Sequence, residues 1–350
     1  AAQADGGLAA GDFIGHLRLL AQDQRERAGP EARGQSAGRV GNVAGPGVER
    51  VGADTRFDSL RIRGFDASND FYLDGIRDDS QYVRDLHNIE RIEVLKGPAA
   101  VLYGRGSQGG IVNRISKAPE AGRRSTLEAQ GGSEDLRSLY ADLSADPTDT
   151  ISLRLNMGNM DENSFRDGVS GSRQLFAPSM SWQLTPDLNW LVQYEYSRYN
   201  RTPDRGIPAI NGRPADVGRD TTYGTDNDFI DDKSQSLRSK LSYEIADNWQ
   251  LRQTLGVFKL NSDFDNTYLT GFNATTQRVT RQRWQQDLRT RNLFNNLEAE
   301  GDFDTLGLEH KLLLGLEFGN QRRDVFRQLV SVGSVISYQY FRHASDFRSV

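Results

Sequence analysis

The segment that decides the fold runs from Arg61-Ile62-Arg63-Gly64-Phe65 to Gly109-Gly110-Ile111-Val112-Asn113, and it joins short β-type runs through glycine turns. Within it, residues 89–95 (IERIEVL) combine apolar and charged side chains, which alternate from Arg91 to Val94. That period of two is typical of a strand with one buried face. Asp74-Gly75 follows Phe71-Tyr72-Leu73 and is a hairpin signal. Residues 55–120 are therefore predicted to form a small mixed α/β domain with a small sheet and its own core.

After Arg124 the pattern changes to long strands with one apolar and one polar wall. Leu153, Leu155 and Met157, for example, alternate with Arg154, Asn156 and Gly158. We predict about nine strands, at 124–132, 137–146, 150–161, 174–184, 188–200, 234–245, 248–261, 283–300 and 306–320. Short turns such as Ala246-Asp247-Asn248 separate longer links at 161–173, 200–233 and 261–282. Short turns at one end and long loops at the other are typical of an outer-membrane barrel, so residues 121–350 are predicted to be part of an antiparallel transmembrane β-barrel.

Composition excludes several other classes of protein. There is no cysteine, so disulfides and thiolate metal sites are absent, and the four histidines show no ligand spacing. The net charge of -5 argues against a nucleic-acid binder. The mean hydropathy is -0.64, and no apolar run reaches the ~18 residues of a spanning helix. Residues 1–54 are poorly readable, with one weakly helical stretch from Phe13 to Ala28.

The segment from Leu60 to Pro119 closely resembles the plug domain of TonB-dependent outer-membrane receptors. The matching phrases are Ile62-Arg63-Gly64-Phe65, residues 71–78 (FYLDGIRD), residues 89–104 (IERIEVLKGPAAVLYG) and Gly109-Gly110-Ile111-Val112-Asn113. The variant RDDSQY at 77–82, followed by GRGSQGG at 104–110, is similar to the ferric-siderophore branch, with catecholate receptors nearest. The resemblance implies a 22-stranded barrel in a Gram-negative outer membrane, with its lumen occluded by the plug.

The resemblance also implies function and partners. It implies a transporter rather than an enzyme, which binds a ferric siderophore and imports it with energy from TonB and its ExbB and ExbD partners. Iron arrives inside the siderophore, so no cofactor is expected. Lipid and lipopolysaccharide would surround a monomer, with no nucleic acid. No TonB box is legible before Arg56, and about nine strands cannot close a barrel. We therefore expect the coupling segment and the remaining strands to lie outside this chain.

Candidate ligand contacts follow from the resemblance and from charge. In this family the loop after the Asp-Gly hairpin lies at the plug apex, which selects Arg77, Ser80, Gln81 and Tyr82. Arg63 is a further candidate, with an ion pair between plug and barrel as the alternative. Guanidinium groups would attract an anionic ferric catecholate. In the barrel, Tyr199, Arg201, Arg205 and Tyr223 form the predicted aromatic, cationic vestibule.

Five further arginines allow two interpretations that the sequence leaves open. They are Arg278, Arg281, Arg283, Arg289 and Arg291. They could extend the vestibule, or they could bind lipopolysaccharide phosphates outside the barrel. The alternation of the strand is irregular near Trp284, so the sequence does not fix which way they face. Aromatics near strand ends are predicted to form interfacial girdles; these are Tyr140, Trp182, Trp190, Tyr199, Trp249, Phe258 and Trp284.

The glycines of the first domain are predicted to form tight structural turns. The positions are Gly64, Gly75, Gly97, Pro98, Gly104, Gly106, Gly109 and Gly110. Residues 104–109 also match the pattern G-x-G-x-x-G, which in a dinucleotide site must open a helix. Here a β-branched run follows, so backbone turns are the better explanation.

Three rival functions stay open at this point. The first is a TonB-dependent receptor for haem, cobalamin or a glycan. Neither the loop at 200–233 nor that at 261–282 contains histidine, which disfavours haem. The second is an outer-membrane porin or enzyme, although a porin would not need residues 55–120. The third is a soluble β-sandwich lectin, which would also show alternating strands.

Overall fold

A computed structural model describes residues 48–50, 56–96, 109–207, 209–210, 213–215, 217–273, 278–331 and 334–348. The chain divides into two compact units. The first contains residues 1–52, 57–86 and 91–115, and the second contains residues 53–56, 87–90 and 116–350. The described residues form only strands and turns, so the helical part of the expected mixed domain has no counterpart among them. The stretch Phe13–Ala28 lies outside the described residues.

Short strands and tight turns build the first unit. Its strands are β1 (Val48–Arg50), β2 (Leu60–Ile62), β3 (Phe65–Asp66), β4 (Phe71–Leu73), β5 (Ile76–Arg77), β6 (Ile89–Lys96) and β7 (Gly110–Ser116), the last two reaching into the segments assigned to the second unit. β1, β2 and β3 make an antiparallel sheet, and a second sheet has the order β5-β4-β7-β6, with β4 and β7 parallel. A core of Leu60, Ile62, Ala67, Phe71 and Val112 is fully buried.

Two hairpins of this unit close with the same turn. Arg63-Gly64 joins β2 to β3 and Asp74-Gly75 joins β4 to β5. Both central residues have positive φ, at 54° and 83° in the first turn and at 51° and 81° in the second. Such turns match the twist of antiparallel strands and favour glycine. The predicted hairpin at Asp74-Gly75 is confirmed.

The second unit is dominated by a ten-stranded antiparallel sheet whose strands follow chain order. They are β8 (Thr126–Gly131), β9 (Arg137–Thr148), β10 (Ile151–Asn163), β11 (Ser170–Thr185), β12 (Leu188–Arg201), β15 (Phe229–Ala246), β16 (Trp249–Asn273), β17 (Arg278–Thr305), β18 (Leu308–Ser331) and β19 (Ser334–Arg348). A small hairpin of β13 (Ala209–Ile210) and β14 (Arg213–Pro214) lies within the β12–β15 connection.

Several strands extend far beyond their predicted ends. Residues 261–273 and 278–282, predicted to be a long loop, continue β16 and β17 in paired register as far as Asn273 and Arg278. Residues 334–348, which follow the last predicted strand at 306–320, form β19. The extensions show no regular alternation of apolar and polar residues, so that signal could not reveal them. Cross-strand charge pairs such as Arg283 with Asp265 lie between these extended strands.

The two faces of the large sheet differ in character. Its apolar face exposes Leu237, Leu255, Leu293, Leu297, Leu316 and Phe318. Its polar face buries Arg154, Asn156, Gln193, Ser234, Arg238 and Asn292. Apolar side chains on the exposed face are the reverse of a soluble sandwich and fit contact with lipid. Among the described residues, no helix has the length and hydropathy to cross a bilayer.

The predicted aromatic girdle is only partly present. By strand register, Trp182, Trp190 and Trp249 lie on the apolar face near the short turns. Tyr140 and Tyr199 are instead buried on the polar face, at 6% and 8% exposure. Trp284 shares its face with the buried Leu288 and Thr290. A residue near a strand end can face either wall, and only the register decides which.

Candidate ligand-binding site

A cavity of about 210 Å³ lies where the β12–β15 connection meets the β10–β11 connection and the extended end of β16. Its walls are Asp167–Val169, Thr202–Ile207, Thr222–Asp226 and Asn266–Leu269. Arg205 and Tyr223, both predicted as ligand contacts, therefore line the same cavity, together with Tyr268. Among the described residues, no group of three or more His, Cys, Asp or Glu side chains could hold a metal ion.

Trp284 is the centre of an arginine–aromatic cluster beside this cavity. The guanidinium carbons of Arg327, Arg56 and Arg205 lie 4.5, 4.9 and 5.5 Å from the centre of its ring. Phe264 and Tyr268 meet the indole edge-on, with centroids 5.3 and 6.3 Å away. Each guanidinium is within the distance at which a cation is attracted to an aromatic face.

Neutral groups orient the members of this Trp284 cluster. Arg327 donates from Nε and Nη2 to Oε1 of Gln286, at 3.1 and 2.8 Å. The Tyr268 hydroxyl donates to Oε1 of Gln282 at 2.6 Å, and Arg205 stacks on the Tyr268 ring at 4.0 Å. Because the amide of Gln286 carries no net charge, these hydrogen bonds do not neutralise the positive charge of Arg327. The cluster can therefore offer both positive charge and ring surface to an anionic aromatic ligand.

Tyr199 and Arg201, two further predicted contacts, belong to a different arrangement. The guanidinium carbons of Arg173 and Arg201 lie 3.9 and 4.5 Å from the centre of the Tyr199 ring. Arg201 forms an ion pair with Asp232 at 2.8 Å, and both side chains are 3% exposed. It also donates to the main-chain oxygen of Arg56 at 2.6 Å. Arg201 is therefore buried and its charge is paired with Asp232, and its contact with a ligand stays a prediction.

In the first unit, the predicted apex residues separate into two groups. Ser80 and Tyr82 are 3% and 6% exposed. The Tyr82 hydroxyl donates to Asp78 at 2.9 Å, and Arg84 donates to the main-chain oxygen of Ser80 at 2.8 Å. The side chain of Tyr82 and the main chain of Ser80 thus hold the unit together, and ligand contact by these two residues stays a prediction. Arg77 and Gln81 are partly exposed and remain predicted contacts.

Arg77 is already fixed by local partners. It donates to Asp79 at 3.3 Å, to the Tyr72 hydroxyl at 3.3 Å and to the main-chain oxygen of Asn69 at 3.1 Å. These bonds fix the direction of the guanidinium while part of it stays open. Arg63 is exposed and occupies the positive-φ turn between β2 and β3, so its backbone has a structural role whatever its side chain binds.

A buried ionic network forms the interior beneath the 78–82 loop. The fully buried Arg84 donates from Nε to Asp78 at 2.9 Å, and Arg114 donates to the same carboxylate at 2.5 Å. Burial by itself would raise the pKa of Asp78, but the two guanidinium groups hold that pKa below its ordinary value. The pKa of Arg84 is displaced upward: burial opposes its charge, but Asp78 stabilises it more strongly.

The predicted turn glycines that the structure describes fall into two kinds. Gly64 and Gly75 occupy the positive-φ hairpin positions. At Gly109 and Gly110, a Cβ atom would collide with the carbonyl oxygens of Ile62 and Leu95 respectively. Close approach of backbones therefore requires glycine there. Gly97, Pro98, Gly104 and Gly106 lie outside the described residues.

The arginines of β17 divide into two groups. Arg283, Arg289 and Arg291 share the parity of Leu293 and Leu297 and lie on the apolar face. Arg281 has the same parity but donates to the main-chain oxygens of Tyr223 and Gly224, which line the cavity. Sequence reasoning missed Arg173, Tyr268 and Arg327 and misassigned Trp284. Trp284, Leu288 and Asn292 are all even-numbered positions of β17, and this alternation was the signal that could have placed Trp284 on the polar face.

Two family models match the chain. Residues 30–111 match the TonB-dependent receptor plug domain, and residues 181–349 match the TonB-dependent receptor-like β-barrel. The chain belongs to the TonB-dependent receptors. This family consists of receptors and transporters in the outer membrane of Gram-negative bacteria, and the apolar face of the large sheet is the one that fits the lipid. The predicted family and localisation are confirmed.

Similar proteins include siderophore and metallophore receptors. The chain is 34% identical over 69% of its length to the metal-pseudopaline receptor CntO of Pseudomonas aeruginosa, covering 34% of that protein. It is 30% identical over 79% of its length to the catecholate siderophore receptor Fiu of Escherichia coli K12, covering 40% of it. The chain thus spans between a third and two fifths of the length of these relatives.

The same similarity holds in three dimensions. The crystal structure of the ferric-catecholate import receptor Fiu from Escherichia coli K12, in its open form, superimposes with a TM-score of 0.77. The match has 26% identity and covers 90% of this chain and 52% of that one. The fold of the second unit, with its successive antiparallel strands, is therefore that of a TonB-dependent receptor barrel.

Proposed function

We propose that the receptor containing this chain binds a ferric siderophore at the cell surface and imports it into the periplasm with energy from TonB, and that it catalyses no reaction. The observation that best supports ligand binding is the Trp284 cluster, in which Arg56, Arg205 and Arg327 surround one indole. A ferric catecholate is an anion built from aromatic rings. Guanidinium groups attract its charge, and the aromatic side chains stack on its rings.

The catecholate class is preferred because the relative Fiu is named a catecholate siderophore receptor. A second candidate is a metal–pseudopaline complex, since the relative CntO is named a receptor for that ligand. A catecholate is built from aromatic rings, so the indole of Trp284 should contribute strongly to binding of that class.

Growth of a strain that lacks its own receptors tests the proposal. The protein is expressed from its complete gene and supplied with one iron or metal source at a time. We expect growth on ferric catecholates, and none when TonB is deleted. Growth on haem or cobalamin alone would exclude a siderophore, and growth on metal-pseudopaline alone would select the second candidate.

A pair of tryptophan variants links the transport to the site. Trp284→Leu should reduce uptake of iron-55 ferric catecholate, because the cluster loses its central ring. Trp190→Leu removes the same surface from the apolar face, where the indole donates to Ser239, and should leave uptake near the wild-type rate. Equal effects of the two substitutions would contradict a role for the cluster in binding.

A further inference from the structure

Asp228 lies behind the cavity of the candidate site, where the β12–β15 connection enters β15. Its side chain is buried. Oδ1 accepts a hydrogen bond from the Thr225 hydroxyl at 2.7 Å. Oδ2 accepts one from the main-chain nitrogen of Thr267 at 2.8 Å and a longer one from Nδ2 of Asn266 at 3.2 Å. One carboxylate therefore joins the end of the β12–β15 connection to β16.

The groups that bind Asp228 belong to two different walls of the cavity. Thr225 lies two positions from Tyr223, in the wall that the β12–β15 connection contributes. Thr267 lies next to Tyr268, in the wall that β16 contributes. Consecutive Cα atoms are about 3.8 Å apart, so each tyrosine is close in the chain to a group that Asp228 holds. Asp228 thus sets the separation of the two segments that carry the tyrosines.

The main chain around Asp228 holds the same geometry. The main-chain nitrogen of Asp228 donates to the main-chain oxygen of Thr225 at 3.0 Å, which closes a turn before β15. A Cβ atom at Gly224 would lie 2.9 Å from Oδ2 of Asp228, so this wall packs directly against the carboxylate. A buried carboxylate is costly unless its oxygens accept hydrogen bonds. Both oxygens of Asp228 do so, which favours one fixed position.

Other bonds attach the same wall to other parts of the second unit. The Thr222 hydroxyl donates to the main-chain oxygen of Asp167 at 3.0 Å, in the β10–β11 connection. Arg281 of β17 donates to the main-chain oxygens of Tyr223 and Gly224 at 3.4 and 3.3 Å. Asp228 adds the attachment to β16, the strand that carries Tyr268 of the Trp284 cluster.

We infer that Asp228 is a positioning residue for ligand binding. It holds the wall that contains Tyr223 against β16, so that the cavity lined by Tyr223 and Tyr268 is formed before the ligand arrives. The inference rests on the proposed function and adds how the site keeps its shape. A receptor that is competent to bind for only a fraction of the time loses affinity in proportion to that fraction. A preformed cavity avoids this loss.

Charge and positioning predict opposite effects of removing Asp228. By charge alone, the loss of a carboxylate beside a site for an anion should strengthen binding. The loss of a positioning residue should weaken it. Asp228→Asn is the conservative variant, because its carbonyl oxygen can still accept from Thr267 and its amide can donate to the Thr225 hydroxyl.

The test compares D228A, D228N and D220A in the receptor expressed from its complete gene. Asp220 is an exposed residue of the same connection, outside the cavity walls, so D220A removes the same charge. Heat-modifiable gel mobility verifies that each purified variant is folded. Stopped-flow quenching of tryptophan fluorescence by the ferric complex of 2,3-dihydroxybenzoate gives the association and dissociation rate constants and the number of sites. Hydrogen–deuterium exchange of peptides that contain residues 222–226 and 266–269 reports on the two walls without ligand.

We expect D228A to exchange faster than the wild type in both wall peptides. It should bind the ferric complex about tenfold more weakly, mainly through slower association and with the wild-type number of sites. D228N and D220A should resemble the wild type in both measurements.

The inference is overturned if D228A exchanges like D220A, or if D228A binds the ferric complex as tightly as the wild type. Fewer sites with an unchanged dissociation constant would also overturn it, because that result indicates a folding defect. Equal defects in D228A and D228N would assign the effect to the lost charge and overturn it too. If the wild-type receptor does not bind the ferric complex, the proposed catecholate function fails, and the exchange of D228A against D220A alone decides whether Asp228 positions the walls.

Discussion

Nε of Arg84 lies 2.9 Å from Oδ2 of Asp78, and the Arg84 side chain is completely buried. Arg84 also stacks on Phe71 and Tyr82, at 4.1 and 4.6 Å from their ring centres. A buried arginine with this many partners joins the 78–82 loop to the core around β4. Removing one partner of a buried pair leaves the other charge unsatisfied, which is the costly outcome.

Arg84→Met should destabilise the first unit by about 3–5 kcal/mol. We would measure hydrogen–deuterium exchange of peptides containing β4 and β7 in the intact receptor, and we expect faster exchange in both. Arg61→Met is the matched control, because Arg61 is exposed on β2, and it should change stability by less than about 0.5 kcal/mol. Similar exchange in the two variants would show that the network contributes little.

The same network predicts the acid sensitivity of this unit. The pKa of Asp78 is lowered in the folded state, so ionised Asp78 stabilises folding above its ordinary pKa of about 4. That stabilisation is lost as the pH falls through the lowered value. Protection of β4 and β7 amides, corrected for intrinsic exchange, should be constant from about pH 7 to pH 5 and decrease below about pH 4.

Asp78→Asn tests the origin of this acid transition. The variant should be less stable at neutral pH and should lack the decrease below about pH 4 that Asp78 causes. If Asp78→Asn showed the full acid transition of the wild-type protein, another carboxylate would be responsible.

Gly109 and Gly110 allow a test of close backbone packing, because neither position has room for a side chain. Ala at position 109 would press its Cβ against the carbonyl oxygen of Ile62, which is backbone and cannot move aside. We expect Gly109→Ala to cost about 1–3 kcal/mol, measured by the urea midpoint at which the first unit becomes sensitive to protease. Gly315→Ala, where no atom lies within 4 Å of the added Cβ, should leave that midpoint unchanged. An unchanged midpoint for Gly109→Ala would contradict the close packing.

A local signal made the Asp74-Gly75 hairpin of the first unit predictable from sequence. Asp74-Gly75 follows an apolar run directly, and both residues of the turn are adjacent in the chain. The burial of Ser80 and Tyr82 was not predictable in this way. It depends on Arg84 and Arg114, and Arg114 reaches the network only because β7 lies beside β4.

In the second unit, the sequence predicted strands where leucines alternate with polar residues and failed where apolar and polar residues do not alternate regularly. Arg283 and Asp265 lie on different strands, 18 positions apart in the chain, and their pairing depends on the register of β16 with β17. The Trp284 cluster has the same origin. Arg56, Arg205 and Arg327 come from three distant segments, so the sequence showed the arginines without showing their common centre.

The apolar face predicts the effect of charge at membrane depth. Leu297 is opposite Gln253, four residues from Trp249 and six from Lys259, which places it near the middle of the apolar band. Leu297→Arg should lower the free energy of unfolding in lipid vesicles by about 2–4 kcal/mol. Asn261→Arg, on the same face but two residues farther than Lys259 from the short turns, should cost less than about 1 kcal/mol. Equal costs at the two positions would mean that this face does not meet lipid.

The last prediction concerns the charges around Trp284. Arg205→Gln/Arg327→Gln removes two of its three guanidinium neighbours while the indole and Tyr268 remain. If the cluster attracts an anionic ferric catecholate, the dissociation constant should rise by about tenfold or more. The effect should shrink at high salt because part of the attraction is long-range. Quenching of tryptophan fluorescence by the iron complex measures the binding, and subtracting the signal of Trp284→Phe isolates the contribution of Trp284.

Arg283→Gln/Arg289→Gln is the charge-matched control, because those arginines lie on the opposite face and pair with Asp265 and Asp287. The control should bind the ferric catecholate as the wild-type receptor does, and weakened binding in both double variants would assign the effect to overall charge instead of to the cluster.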